Sequence, residues 1–232
     1  MLDIYFKYRG HDSRDMGIEA KSFFEVGEAV PDVEQITVPG RSGALTYWDG
    51  TYANRIITAP SFLLSEILPR DIEKINAWLL SAQSYDKLVL SHDPEHFFLA
   101  RAVLGVSENV RADLLTPFTL EFDALPQKFL EAGTQESAAG ASIFNPTEFT
   151  AFPIWKINAT GNVTLTVGQN TATITGITGQ IVLDTETGTA TKNGANVNSH
   201  VSFAEDLTLA PGENAVSISG GTLRYIPRWW TL

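Results

Sequence analysis

The sequence predicts a mainly β protein of two domains, the first of which also contains one α-helix. Three observations predict this: one helical pattern at residues 71–83, apolar–polar alternation elsewhere, and a change of composition beyond residue 130. Alternation with period two is typical of half-buried strands, whereas helices repeat apolar residues every three or four positions. We expect a β-sandwich-like N-terminal domain over residues 1–135 and an antiparallel β-sandwich over residues 146–232.

The helical pattern is short and has a start signal. Ile72, Ile75 and Leu79 fall at i, i+3 and i+7, which puts them on one face of a helix. Pro69 and Asp71 lie immediately before this pattern and indicate where the helix starts. A short acidic side chain at that position can accept hydrogen bonds from the free N–H groups of the first turn. We therefore expect a helix over residues 71–83.

Strand-like segments surround the helix. Pro60 separates two apolar-rich runs, and the turn-forming residues His92-Asp93-Pro94-Glu95 separate two others that should form a hairpin. A further run alternates Phe, Thr, Leu, Glu and Phe, as a half-buried strand does. The predicted strands of this domain are residues 54–59, 62–67, 87–90, 97–104 and 118–122.

The two domains differ in charge, and small polar residues separate them. Residues 1–150 carry 12 Lys and Arg against 22 Asp and Glu, a net of −10, whereas residues 151–232 carry 4 against 5, a net of −1. The stretch 131–150 is rich in Gly, Ala, Ser and Thr, which favours a loop. We place a linker at residues 136–145.

The second domain alternates throughout. Val163–Val167 and Thr171–Thr175 alternate strictly, and Gly168-Gln169-Asn170 between them suits a hairpin turn. Threonine favours sheets because β-branched side chains pack well on a pleated surface. Further strands are predicted at residues 181–183, 187–191 and 215–219.

The amino-acid composition of the chain excludes several classes of function. The chain has 232 residues, no cysteine and a formal net charge of −11. Thiolate metal sites, thiol nucleophiles and disulfides are thereby excluded, and an acidic surface that repels phosphate backbones makes nucleic acid an unexpected partner. The N-terminus lacks a signal-peptide pattern, and no apolar run reaches the roughly 18 residues of a membrane helix, so we expect no membrane insertion.

The strongest catalytic candidate is the sequence from His92 to His96. Its two imidazoles and two carboxylates, from Asp93 and Glu95, are all metal-ligand types. Pro94 breaks any helix, however, so the histidines do not share a helical face as they do in zinc proteases. A polar hairpin turn is the simpler interpretation, and we predict no metal, no cofactor and no catalytic residue.

Six segments along the chain carry a recognisable set of motifs: VPGRSGALTYWDGTYANRIITAPSFL (38–63), YDKLVLSHDPEHFFLARAVLG (85–105), FTLEFDALPQKFL (118–130), IVLDTETGTATKNG (181–194), LAPGENAVSISGG (209–221) and IPRWW (226–230). In the first three, a Pro-Gly-Arg-x-Gly turn precedes an aromatic stretch, an Asp-Pro hairpin follows, and a Pro-x-Lys segment ends the first domain. In this order the six segments resemble the distal tail proteins of long-tailed bacteriophages.

The resemblance implies a structural virion protein at the phage tail tip, made in the host cytoplasm. Such proteins form rings, usually hexamers, in which the N-terminal domain joins the tail tube to the tail-tip hub. The C-terminal domain resembles a galectin-like β-sandwich, which holds receptor-binding proteins in some phages and carries sugar-binding modules in some relatives. Two alternatives stay open: a stand-alone carbohydrate-binding β-sandwich and, less favoured, a cell-wall hydrolase.

A closed ring needs contacts between two different patches of neighbouring subunits. Such contacts favour aromatic anchors in a surface with few charges. Ala44–Ala53 fits, because Tyr47, Trp48 and Tyr52 lie in it and Asp49 is its one charged residue. We predict that these three aromatic residues contribute to a subunit or tube-facing contact; the alternative is that they cover their own core.

Overall fold

The computed structural model describes residues 4–64, 67–81, 84–107, 109–110, 115–203 and 207–232. As predicted, the chain is mainly β, with one α-helix among these residues and antiparallel, sandwich-like sheets. It divides into two compact units, one of Met1–Lys128 with Leu232 and one of Phe129–Thr231. No helix in the described ranges is long and apolar enough to cross a membrane.

The first unit contains the helix α1 (Pro69–Leu80) and the following strands: β1 (Phe6–Tyr8), β2 (His11–Asp12), β3 (Ile18–Ala20), β4 (Glu25–Val26), β5 (Pro31–Thr37), β6 (Ala44–Tyr52), β7 (Arg55–Leu63), β8 (Asp86–Leu90), β9 (Asp93–Ala102) and β10 (Phe118–Leu130). Its main sheet has the order β2-β1-β8-β9-β10-β7-β3, with β4 also paired to β7. Strands β5 and β6 form a separate two-stranded sheet.

Aromatic side chains lie at the centre of the core of the first unit. Phe6, Tyr8 and Phe122 are fully buried, and their rings pack edge to face at 5.3–5.4 Å between centroids. Trp78 of α1 stacks on Phe6 at 6.0 Å and donates from Nε1 to the Tyr8 carbonyl at 3.1 Å. The helix is therefore held to the sheet by side-chain packing and by the hydrogen bond from the Trp78 indole.

The helix begins two residues earlier than the predicted Asp71. Proline fits the first helical position, where its missing N–H would have no partner. Asp71 then lies in the first turn and accepts the Leu68 N–H at 3.2 Å. Ile72, Ile75 and Leu79 share the buried face, as the spacing predicted. The predicted end at residues 82 and 83 lies outside the described residues.

Pro60 does not divide two strands, because β7 runs through it from Arg55 to Leu63. On one side Pro60 pairs with Thr119 of β10. On the other side β3 pairs from Ser61 onward and β4 pairs up to Thr58, so Pro60 lies in the gap between them. A missing N–H is tolerated where no neighbouring strand needs it.

The predicted β8–β9 hairpin is present, but its turn is shorter than expected. Leu90 pairs with Asp93, which leaves Ser91 and His92 as the turn and places Asp93, Pro94 and Glu95 in β9. The register shifts between Leu88 and Leu90. Such an irregularity near a strand start accommodates proline, which has no N–H to donate.

The second unit contains the following strands: β11 (Ser137–Ala138), β12 (Ser142–Asn145), β13 (Ile154–Val167), β14 (Asn170–Asp184), β15 (Thr189–Lys192), β16 (Ala195–Asn196), β17 (Val201–Phe203), β18 (Gly212–Ile218), β19 (Thr222–Ile226) and β20 (Trp230–Thr231). Short 3₁₀ helices occupy Glu131–Thr134 and Asn198–His200.

The long hairpin β13–β14 organises this unit. Val167 pairs with Asn170 across a two-residue turn, which confirms the predicted hairpin, although 181–183 belongs to β14 and is not a separate strand. A bulge between Gly161 and Val163 divides β13 into halves, of which the first pairs with β19 and the second with β18. Strand β14 similarly pairs with β17 and then with β15.

The predicted linker at 136–145 differs from the structure, in which the compact units divide after Lys128. Strand β11 pairs with β19 and strand β12 with β18. Ile143 and Asn145 are buried, and the Asn145 amide donates to the carbonyls of Phe149 and Leu209 at 2.9 and 3.0 Å. Small polar residues thus form edge strands here, because their partners come from the end of the chain.

Candidate interaction surface

The predicted contact residues lie on the β5–β6 hairpin. The strands pair from Thr37 opposite Ala44 to Pro31 opposite Tyr52. Gly40 and Gly43 have φ angles of 80° and 81°, which other residues rarely adopt. The sequence Pro39–Gly43 therefore forms the predicted tight turn.

The hairpin exposes apolar side chains on both faces. Directly paired residues share a face and neighbours along a strand alternate. One face accordingly carries Trp48 and Val33, and the other carries Tyr47 with the pair Leu45 and Ile36. Tyr47 is 60% exposed and Trp48 46%, while the remaining three are about two-fifths exposed. Within the first unit these residues do not cover a core.

Local hydrogen bonds fix the end of β6. Trp48 donates from Nε1 to the Thr51 carbonyl at 2.6 Å, and its ring meets the half-buried Tyr52 edge to face at 5.6 Å. Asp49 accepts from both the hydroxyl and the N–H of Thr51, at 2.6 and 3.1 Å. The hydroxyl bond from Thr51 lowers the pKa of Asp49 below its ordinary value. Trp48 is thereby held in place while much of its ring stays exposed.

The segment from His92 to His96 does not form the metal site considered above. His96 Nδ1 lies 2.7 Å from Asp93 Oδ1, and Lys128 pairs with the other carboxylate oxygen. His92 stacks instead on Phe24, at 5.8 Å between ring centroids. Among the described residues, no group of three or more His, Asp or Glu is arranged to hold a metal ion.

The neighbouring carboxylates Glu121 and Asp123 lie on the outer side of β10, and Asp123 is already paired. It accepts hydrogen bonds from Arg101 Nε at 2.9 Å, from the Tyr85 hydroxyl at 3.1 Å and from Asn54 at 2.8 Å. Burial raises the pKa of Asp123, but the hydrogen bonds from Asn54, Arg101 and Tyr85 outweigh it and lower the pKa overall. A carboxylate held ionised by three donors is suited to structural support and not to proton transfer.

The adjacent tryptophans near the C-terminus, Trp229 and Trp230, have different environments. Trp229 is buried, whereas Trp230 is half-buried and stacks on Phe149 at 4.5 Å between centroids. Trp230 also donates from Nε1 to the Thr150 carbonyl at 2.9 Å. Both rings have partners within the second unit, so neither forms an open stacking platform for a sugar.

The fold and this surface define a class: a mainly β protein of two compact units that exposes an apolar hairpin. No protein-family model matches the sequence, and no curated protein matches it. Among solved structures, the chain is similar to the SPP1 Dit (gp 19.1) protein, described as a paradigm of hub adsorption apparatus in phages that infect Gram-positive bacteria. The TM-score is 0.71 at 13% identity, over 99% of each chain, so the chain has a Dit-like fold.

Proposed function

We propose that the chain is a structural virion protein, the distal tail hub of a long-tailed phage, and not an enzyme. The observation that carries this proposal is the likeness to a phage hub protein across 99% of both chains. A likeness over the whole length includes both units and the hairpin, whereas a shared β-sandwich alone would cover only part. The order of the six family-like segments along the sequence supports the same role independently.

In this role the chain forms a ring, of six copies, that joins the tail tube to the tail-tip hub. The C-terminal domain, galectin-like by resemblance, would face outward toward receptor-binding proteins or host carbohydrate. The protein would reside at the tail tip of the virion after synthesis in the host cytoplasm. These partners come from the resemblance.

The β5–β6 hairpin is the proposed contact with the next copy in the ring. An isolated two-stranded sheet is marginally stable in water, and this one exposes Trp48 on one face and Tyr47 on the other. A hairpin with apolar side chains on both faces buries them when it inserts between surfaces of a neighbour. Because ring contacts join two different patches, the hairpin need not meet its own equivalent.

The test is the mass of the protein in solution, measured by light scattering over a range of concentrations, with ring images from electron microscopy. We expect a six-subunit species for the wild type. Tyr47→Ala should weaken it, and Phe144→Ala in the second unit is the matched control because Phe144 is equally exposed, at 60%. A wild type that stays monomeric, with glycan binding by that monomer, would favour the carbohydrate-binding alternative.

The net charge of the chain provides a second test of assembly. Residues 1–150 carry a net charge of −10, so copies brought together in a ring repel one another. Salt screens such repulsion over about 10 Å at 0.1 M. Assembly should therefore strengthen as salt concentration rises, and a ring that dissociates with added salt would indicate contacts made mainly by ion pairs.

A further inference from the structure

The hairpin β15–β16 turns through Asn193 and Gly194, the one Asn-Gly pair in the sequence. Lys192 pairs with Ala195, so these two residues form the whole turn. Their φ angles are 49° and 80°, a conformation that suits a two-residue hairpin turn and that asparagine and glycine tolerate. Both residues of the turn are exposed.

In the described part of the chain, nothing holds the side-chain amide of Asn193 or the backbone N–H of Gly194. The amide makes no hydrogen bond there, and the N–H has no acceptor. The space around Gly194 is open as well, because beyond its chain neighbours no atom lies within 4 Å of the position that a Cβ would take. The amide carbon of Asn193 is therefore free to meet the next nitrogen along the chain, and water can reach both.

The turn also lies where its sheet opens readily. Strand β16 is at the edge of the sheet and pairs with β15 at Thr191 opposite Asn196 and at Lys192 opposite Ala195. A pairing this short at an edge opens locally at a free energy far below that of unfolding the whole unit. The amide carbon and the nitrogen can therefore approach each other while the rest of the unit stays folded.

We propose that Asn193 is a site of spontaneous deamidation. The Gly194 nitrogen attacks Cγ of Asn193 and forms a bond to it. The Cγ–Nδ2 bond then breaks, and Nδ2 leaves as ammonia with the proton of the Gly194 amide. Water opens the resulting succinimide at either carbonyl, which gives aspartate or isoaspartate. Either product adds a negative charge to residues 151–232, and isoaspartate also lengthens the backbone, which disrupts the pairing of Lys192 with Ala195.

Other asparagines near this turn are held in place. Asn198 accepts the Ala190 N–H at Oδ1, at 2.6 Å, and donates from Nδ2 to the Gly188 carbonyl at 3.3 Å. Asn196 accepts the Asn198 N–H at 3.0 Å. The residue after Asn196 is Val197, whose branched side chain crowds its backbone nitrogen. Neither asparagine combines a free amide with an unshielded nitrogen.

Asp49 and Gly50 on β6 form an Asp-Gly pair, for which the same ring closure is conceivable. The Thr51 hydroxyl and N–H donate to Asp49 Oδ1, at 2.6 and 3.1 Å, and both bonds lower the pKa of this carboxylate. An ionised carboxylate repels an attacking nitrogen and loses an oxygen only after protonation. Of the two pairs, the one in the β15–β16 turn is therefore the reactive one.

The experiment is incubation of the full chain at mildly alkaline pH, followed by peptide mapping with tandem mass spectrometry. We expect Asn193 to convert first, to both aspartate and isoaspartate, which a protease that cleaves before aspartate but not before isoaspartate distinguishes. Conversion at Asn198 should be slower by about tenfold or more, because its amide first has to give up two hydrogen bonds. A synthetic peptide of residues 189–198 gives the time in which the unfolded sequence reacts.

Two variants complete the test. Asn193→Gly removes the amide and keeps a residue that tolerates positive φ, so the turn is retained and the early product should disappear. Asn158→Gln removes an exposed asparagine from β13 and should leave the rate at Asn193 unchanged. Circular dichroism checks that both fold. The proposal is overturned if another asparagine converts first, if only aspartate forms, or if Asn193 keeps its amide long after the peptide has reacted. None of these outcomes depends on the proposed tail role, which is tested by mass.

Discussion

The hairpins β5–β6 and β13–β14 are both antiparallel pairs of strands, and they have opposite surroundings. Both turn through glycine, but β13–β14 alternates apolar and polar residues, whereas β5–β6 carries apolar residues on both faces. Every residue of β5 is exposed, however, whereas β13–β14 buries alternate side chains and pairs with β18 and β19 on one side and β15 and β17 on the other. Local sequence therefore determines that a hairpin forms, and distant strands determine whether it is buried.

Two tryptophans show the difference in packing. Trp155 of β13 is fully buried, donates from Nε1 to the Leu207 carbonyl at 2.9 Å and packs near Tyr225. Trp48 of β6 is 46% exposed, and its indole N–H donates to the carbonyl of Thr51, three residues away. The first ring stabilises its own domain, while the exposed surface of the second is available to a partner.

The largest expected difference is in amide hydrogen exchange. Amides of β13–β14 should exchange only by unfolding of the unit, which for natural domains requires about 5–15 kcal/mol. Amides of β5–β6 should open locally at a free energy close to zero in dilute protein. Exchange measured by mass spectrometry at low concentration checks this. Equal protection of the two hairpins there would mean that β5–β6 is covered within the monomer, and protection that rises with concentration would support the ring contact.

Removing the buried tryptophan should have the next largest effect. Trp155→Ala leaves a cavity in the second core and should lower the free energy of unfolding by about 3–5 kcal/mol. Trp155→Phe retains most of the packing and loses the bond to Leu207, for which we expect about 0.5–1.5 kcal/mol. Urea unfolding followed by circular dichroism measures both. An alanine variant within 1 kcal/mol of wild type, on the order of the scatter for surface changes, would contradict the role of Trp155.

A smaller effect is expected from Asp184 at the end of β14. Arg228 donates to both carboxylate oxygens of Asp184, at 2.6 and 2.8 Å. Burial raises the pKa of Asp184, but this pairing outweighs it and the pKa falls below 3.8. A lowered pKa contributes stability that is present above pH 3.8 and is lost as the pH falls through the folded-state value.

Asp184→Asn should therefore cost about 1–2 kcal/mol at pH 7, since the pair is partly exposed, and the difference from wild type should shrink below pH 3.8. Urea unfolding at pH 7 and pH 3 measures it. Asp32→Asn on the exposed strand β5 is the control, because it removes the same charge from an exposed position. A difference for Asp184→Asn that grows on acidification would contradict this assignment of the pKa shift.

Features set by neighbouring residues could be predicted from the sequence. The buried face of α1, the β8–β9 hairpin and the turn after Val167 were predicted because their signals span a few positions. The exposure of the β5–β6 segment was left open, because the local sequence does not show whether another strand covers a face. That Tyr47, Trp48 and Tyr52 contact a partner stays a prediction.

Features set by distant residues could not be predicted. The continuity of β7 through Pro60 depends on the gap between β3 and β4, some 35–40 residues earlier in the chain. Strands β11 and β12 resembled a linker because their partners lie 67 to 88 residues later in the chain. Arg55 resembled any strand arginine, since its burial arises only when β9 and β10 come together beside it.

The smallest effect on stability, and the one that separates the two hairpins most sharply, is expected from Trp48→Ala. The Trp48 indole is about half exposed and its N–H donates to a nearby carbonyl, so the free energy of unfolding of the monomer should change by about 0.5 kcal/mol or less. The same substitution should remove an aromatic anchor of the contact between subunits, where truncations cost about 2 kcal/mol or more per site. Urea unfolding at low concentration and light scattering at high concentration measure the two effects on one sample. A variant that loses several kcal/mol as a monomer would place Trp48 in its own core, and one that assembles like wild type would remove it from the contact.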